Sequence, residues 1–240
     1  MIEPGDIRRL NLGYWTLPAT SRWPGEKVVV CAYVVRYGDG LLLFDTGIGT
    51  GHAEAENDFG PICRRSLESE LGRVGLRVSD VSVVANCHLH LDHCGGNPLF
   101  PQTPIFVQQN ELDALPTLEY VLPQVVHFPG AKLEIHDGEA QIAPGLRIIP
   151  TPGHTPGHQS LLVETSRGRV LLAGQAVDFA SDYARAQFGL DRQVTDSDRV
   201  IPAPPAWLAE VRELDVQTVL FAHDRLVWRS AQSADQLSWT

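Results

Sequence analysis

Six consecutive residues, His88-Leu89-His90-Leu91-Asp92-His93, carry three imidazoles and a carboxylate. They follow the apolar run 81–86, which reads as a buried strand. Side chains alternate faces along a strand, and the backbone turns freely where the strand ends. His88, His90, Asp92 and His93 can therefore converge on one or two cations. Neutral imidazole and carboxylate suit zinc, manganese or iron(II). A solvated polar loop explains the polarity of the segment but not so many ligand-type residues at the exit of an apolar strand. Cys87 and Cys94 bracket the run, but C-x6-C is not a usual zinc spacing and both are read as non-ligands.

Other strand exits carry similar residues. The run 41–44 ends in Asp45-Thr46-Gly47-Ile48-Gly49, a carboxylate followed by glycines that permit a tight backbone. The run 146–149 leads into Thr151-Pro152-Gly153-His154-Thr155-Pro156-Gly157-His158, and 218–222 delivers His223-Asp224. Turn formation explains the glycines and prolines around His154 but not the histidines. His158, at the start of the next strand, is read as a hydrogen-bonded structural residue. His52, His127 and His136 lack converging context and are read as surface histidines.

The intervening elements must position these groups. Residues 28–35 and 41–44 form a hairpin around Asp39-Gly40, and 51–61 is a polar loop. Leu67, Leu71 and Val74 give 64–74 helical spacing, 105–108 is a short strand, and Asn110 caps a helix over 111–115. The proline-broken apolar segment 116–130 reads equally as a cap over a pocket or as a satellite of the core. Strands at 160–163 and 170–173 and a helix at 202–214 complete a layered α/β sandwich, expected as one domain over 1–240.

A formal net charge of −10 argues against nucleic acid or an anionic membrane surface as partner and favours a small neutral or amphiphilic substrate. Residues 1–10 do not read as a signal peptide and no run approaches a membrane span, so a cytoplasmic protein with four free thiols is expected. The apolar stretch 12–17, read as an exposed loop, allows an intramolecular contact or cover for a second copy's site in a homodimer.

Taken together, His88-x-His90-x-Asp92-His93, the His154 segment and the strand-terminal His223 resemble the metallo-β-lactamase superfamily over residues 27–224. The resemblance implies a four-layer αββα sandwich with two divalent ions at one edge. His88, His90 and His154 would hold one ion, and Asp92, His93 and His223 the other, with Asp45 orienting a ligand histidine from behind. Zinc is the first expectation, with manganese, iron(II) or cobalt acceptable to the same donors. Paired ions at about 3.5 Å can share a hydroxide formed near neutral pH, and Asp92 can orient it or pass a proton to the leaving group. Hydrolysis is the implied reaction.

The chain departs from the family at one place. Where most members carry a Gly-Asp pair whose carboxylate bridges the metals, this chain has Gly174-Gln175. Weaker binding of one metal, greater electrophilicity, or both are therefore expected, with Gln175 offering a neutral amide oxygen or a hydrogen bond to a bridging hydroxide, and Asp178 read as a solvated loop carboxylate or as a substitute that swings in. The segments around His88, His154 and Leu220-Phe221-Ala222-His223-Asp224 look most like the N-acyl homoserine lactonases, which implies lactone ring opening and quorum quenching. Tyr14, Trp15, Phe59, Phe128 and Phe188 are candidate walls for an acyl chain. These lactonases tend to carry a tyrosine where Asp178 stands. Hydrolysis of another ester or thioester is an alternative, and a non-catalytic metal- or ligand-binding protein is an alternative of another class.

Overall fold

The computed structural model describes residues 1–17, 24–52, 62–195 and 204–230. Its strands are β1 (Ile7–Thr16), β2 (Lys27–Tyr37), β3 (Gly40–Phe44), β4 (Ile62–Arg64), β5 (Val83–Ala85), β6 (Pro104–Gln108), β7 (Lys132–His136), β8 (Ala140–Ala143), β9 (Leu146–Pro150), β10 (Gln159–Thr165), β11 (Gly168–Leu172), β12 (Val216–Leu220) and β13 (Trp228–Arg229). Among the helices are α1 (Leu67–Arg73), α2 (Leu91–Cys94), α3 (Gln109–Ala114), α4 (Pro123–Val126), α5 (Ala180–Thr195) and α6 (Ala206–Glu213). One sheet runs β4-β1-β2-β3-β5-β6-β7 and the other β13-β12-β11-β10-β9-β8.

Alternation along each strand builds the layers. In β2, Val30, Ala32 and Val34 face the helical side of the first sheet with Leu67 and Leu71 of α1, while Cys31, Tyr33 and Val35 face the second sheet. In β10, Leu161 and Val163 point inward, and Leu162 packs outward with Tyr183 of α5 and Trp207, Leu208 and Val211 of α6. Three apolar clusters thus separate four layers, the expected αββα order.

The hairpin of β2 and β3 has the expected bounds within two residues, and α1 begins at Leu67 because Ser66 accepts a hydrogen bond from the Ser69 amide. Two expectations are corrected, and one left open is decided. The stretch 12–17 is no exposed loop: most of it lies in β1, which pairs with both β2 and β4, and Leu10 and Leu12 are buried. A register shift between Asn11 and Gly13 breaks the strand's period of two, which hid it in the sequence. Gly13 is required there, since a Cβ would lie 1.9 Å from the Cys63 carbonyl oxygen. The helix after β6 starts at Gln109 rather than Glu111, with Gln108 at its N-cap and the Gln108 side chain tied to Gly138 in both directions. Within 116–130, Val125, Val126 and Phe128 join the first sheet's core, as a satellite of the core would. No helix among the described residues is long and apolar enough to cross a membrane.

Candidate metal centre

The carboxyl ends of five strands meet at one edge of the sandwich. β3 delivers Asp45, β5 the segment 86–93, β9 His154, β11 Gln175 and β12 His223. Backbone bonds stitch the two sheets here: the Cys31 amide donates to Ala222 and the Gln159 amide to Cys87, each at 2.8 Å.

Among the described residues four groups of three donors form, two of which, Cys87-His88-His158 and Asp45-Cys87-His93, include the buried Cys87 thiol behind the site. The available ligand atoms of His88, His90 and His154 all lie within 4.8 Å of one another, and so do those of Asp92, His93 and His223. These two groups contain the residues that the resemblance divides between two ions. His88, Asp92, His93 and His223 are buried, His90 is half-buried and His154 exposed, so the first group opens outward.

The hydrogen-bond partners fix the tautomers. His93 Nδ1 donates to Asp45 Oδ2 at 3.0 Å, and His223 Nδ1 donates to the Val29 carbonyl at 2.8 Å. Their Nε2 atoms then face each other across 3.2 Å, with Asp92 Oδ2 3.4 Å from both. His88 Nδ1 lies 3.1 Å from Cys87 Sγ, while its buried Nε2 has no hydrogen-bond partner. Lone pairs crowded this closely repel unless a cation or proton lies between them, so the donor set fits divalent metal. In the metal-free chain, burial opposes charging of His93, but Cys87, Asp92 and Asp45 outweigh it and hold its pKa well above the ordinary value. Burial, reinforced by the neighbouring histidines, pushes His88 well below.

Asp45 takes the orienting position expected of it, and Cys87 supports it: the Cys87 amide donates to Oδ1 at 2.8 Å and its thiol to Oδ2 at 3.1 Å. Burial pushes that thiol up to about 12, which makes it an inert donor. Behind His93, Thr46 and Asn86 both donate to its carbonyl and Asn97 links the two. His158 is structural, as expected, because Nδ1 is engaged with Thr151 Oγ1 and Nε2 accepts the Gln175 amide.

Gln175 turns its Oε1 toward the second group, 3.1 Å from His93 Nε2, because its Nε2 donates to Asp178 Oδ1 at 2.9 Å. Asp178 therefore orients the amide and does not enter the donor set. The proposed acyl walls fare poorly. Tyr14 and Trp15 belong to β1, Phe128 is core, Phe188 lies exposed on α5 beneath Arg192, and Phe59 lies outside the described residues. Among the described residues Tyr120 is the aromatic at the site, its ring edge-on to His90 with centroids 6.0 Å apart and 41% of its surface exposed. Of the remaining histidines, His127 is exposed, whereas His52 and His136 are half-buried and bonded to the Gly95 and Gly138 carbonyls.

The family model of the metallo-β-lactamase superfamily matches residues 26–230. This chain belongs to that superfamily. An N-acyl homoserine lactonase of Bacillus cereus is 33% identical over 219 residues, 84% of each chain, and another of Rhizobium radiobacter is 28% identical over 70% of this chain and 67% of its own length. The solved structure of a quorum-quenching N-acyl homoserine lactone hydrolase superposes with a TM-score of 0.69 at 26% identity, covering 94% of this chain and 93% of that one. Like its relatives in the metallo-β-lactamase superfamily, the protein is a metal-dependent hydrolase.

Proposed function

We propose that His88, His90 and His154 hold one divalent ion, that Asp92, His93 and His223 with the Gln175 oxygen hold a second, and that the enzyme opens lactones, N-acyl homoserine lactones first among them. The observation that carries this reading is the convergence of the His88, His90 and His154 ligand atoms, and of those of Asp92, His93 and His223, each set within 4.8 Å, with Nδ1 of His93 and of His223 turned away onto the Asp45 carboxylate and the Val29 carbonyl. Zinc is the proposed ion. Bound there, it supplies Lewis acidity and a nucleophile drawn from water near neutral pH. Asp92 brings the only negative charge among the donors and orients the attacking water, while Tyr120 flanks the substrate beside His90. Identity to the Bacillus cereus lactonase across 84% of both chains supports the lactone.

The test is a panel. Metal-loaded protein is incubated with acyl homoserine lactones, simple γ-lactones, aryl esters and thioesters, and acid release is followed with a pH indicator. Turnover of lactones that stops on chelation and returns with metal is expected. Turnover of aryl esters or thioesters alone would replace the lactone by another acyl substrate, and turnover of none would leave a metal-binding protein.

Gln175 gives the second ion a neutral oxygen where a carboxylate would attract it by charge. Gln175→Asp is therefore expected to tighten the more weakly held ion roughly tenfold, about 1.4 kcal/mol. Elemental analysis after dialysis reads this as more metal per chain in the variant. Full occupancy by two ions in both proteins would remove Gln175 as the cause of weak binding.

A further inference from the structure

Glu111 follows β6 and contributes no atom to either histidine group, yet its side chain holds both loops of the three-histidine group. We infer that Glu111 is a positioning residue that clamps the His88–His90 loop to the His154 loop, an inference that rests on the metal reading above. Glu111 sits in the first turn of α3 and is fully buried, at 0% exposure. Its Oε1 accepts the Leu89 amide at 2.9 Å, and its Oε2 accepts the Gly157 amide at 3.0 Å.

The two donors come from different sheets. Leu89 follows β5 and separates His88 from His90, whereas Gly157 lies between β9 and β10, three residues beyond His154. His90 Nδ1 and His154 Nε2 meet across this gap at 3.2 Å. One rigid carboxyl group, with its oxygens at a fixed separation, sets the spacing of the two backbones that carry the imidazoles. The approach is close enough to require glycine, since a Cβ on Gly157 would stand 2.2 Å from the Glu111 nitrogen and 2.5 Å from its Cβ. For packing alone, an apolar side chain would serve α3 better, because burying a carboxyl group carries a desolvation cost. What an apolar residue lacks is a pair of acceptors.

Glu111→Gln tests the clamp. It keeps volume and shape but exchanges one acceptor for a donor, so either Leu89 or Gly157 loses its partner. Zinc affinity, measured by competition with a chromophoric chelator, is expected to fall roughly 10–100-fold, the usual effect of losing a group that orients metal ligands. At saturating zinc, kcat for the lactone should fall with KM little changed. Leu112→Ala, which trims the same helix where it packs on the core, should lower the melting temperature without moving zinc affinity. A Glu111→Gln protein that binds zinc as tightly as wild type and loses only melting temperature overturns the clamp and leaves the metal reading intact. A wild type that holds no divalent metal overturns both. If Glu111→Gln does not fold, amide exchange in the metal-loaded wild type decides: Leu89 and Gly157 should be protected like β5, and exchange at loop rates overturns the clamp.

Discussion

Replacing His90 by alanine is expected to lower kcat/KM for the lactone by more than about 100-fold, beyond the 10–100-fold typical of groups that only orient a ligand. His90 is the cleanest residue for this test. His88 is buried, and its removal would leave a cavity beneath the site, whereas His90 is half-buried and occupies the N-cap of α2 without using its side chain as a cap. Its backbone is extended, at φ −67° and ψ 150°, a conformation alanine adopts without strain. The bond from the Leu91 amide to the Tyr120 carbonyl, 2.8 Å, involves backbone alone and survives the substitution. What the variant loses is the imidazole facing His154. Steady-state kinetics at saturating metal and the melting temperature of the metal-free protein separate the two effects: activity collapses while the melting temperature stays close to wild type. Retention of most of the activity would remove His90 from the metal ligands.

The donor set was legible because ligand-type residues crowd the ends of apolar strands, and a strand end is where side chains from separate segments meet. The pattern at 88–93 located one half of the site. Asp45, His154 and His223 each follow an apolar run of their own, but it is the resemblance to the superfamily that gives Asp45 and His223 their roles. Local periodicity did not reveal elements whose pattern is broken by tertiary contacts. β1 carries a bulge at Asn11 and Gly13, and α5 exposes Phe188 while burying Tyr183. Residues that act on the histidines without being donors themselves were also hidden. Glu111 reads as an ordinary polar residue near a helix start, and only its burial reveals a different role. The spacing of Cys87 to Cys94 argues against a paired zinc site, yet spacing says nothing of the thiol's bond to Asp45. At Gln175 the sequence disclosed the missing carboxylate. The direction of the amide depends on Asp178, and a side-chain pair of this kind leaves no trace in hydrophobic pattern.

Asp45→Asn is expected to strip the ion from the Asp92, His93 and His223 group while sparing the fold. Asp45 has φ 66°, in the left-handed region that asparagine tolerates about as well, so the backbone has no reason to move. The side chain is buried and meets three donors: the Cys87 amide, the Cys87 thiol and His93 Nδ1. An asparagine that keeps its oxygen on the Cys87 amide turns its NH2 toward His93, donor against donor. The imidazole relieves that conflict by moving its proton to Nε2, the atom 3.2 Å from His223 and 3.4 Å from Asp92. A proton then occupies the direction in which the lone pair must point. Affinity at this group should fall about 10–100-fold and turnover at least as far. Elemental analysis at a free-metal concentration that fills both groups of the wild type should find up to one ion fewer per chain in the variant. Nitrogen NMR of the metal-free variant should show His93 protonated at Nε2 alone. Unchanged metal content together with an Nδ1 proton would mean that Cys87 can hold the tautomer without a carboxylate, and Asp45 would lose its orienting role.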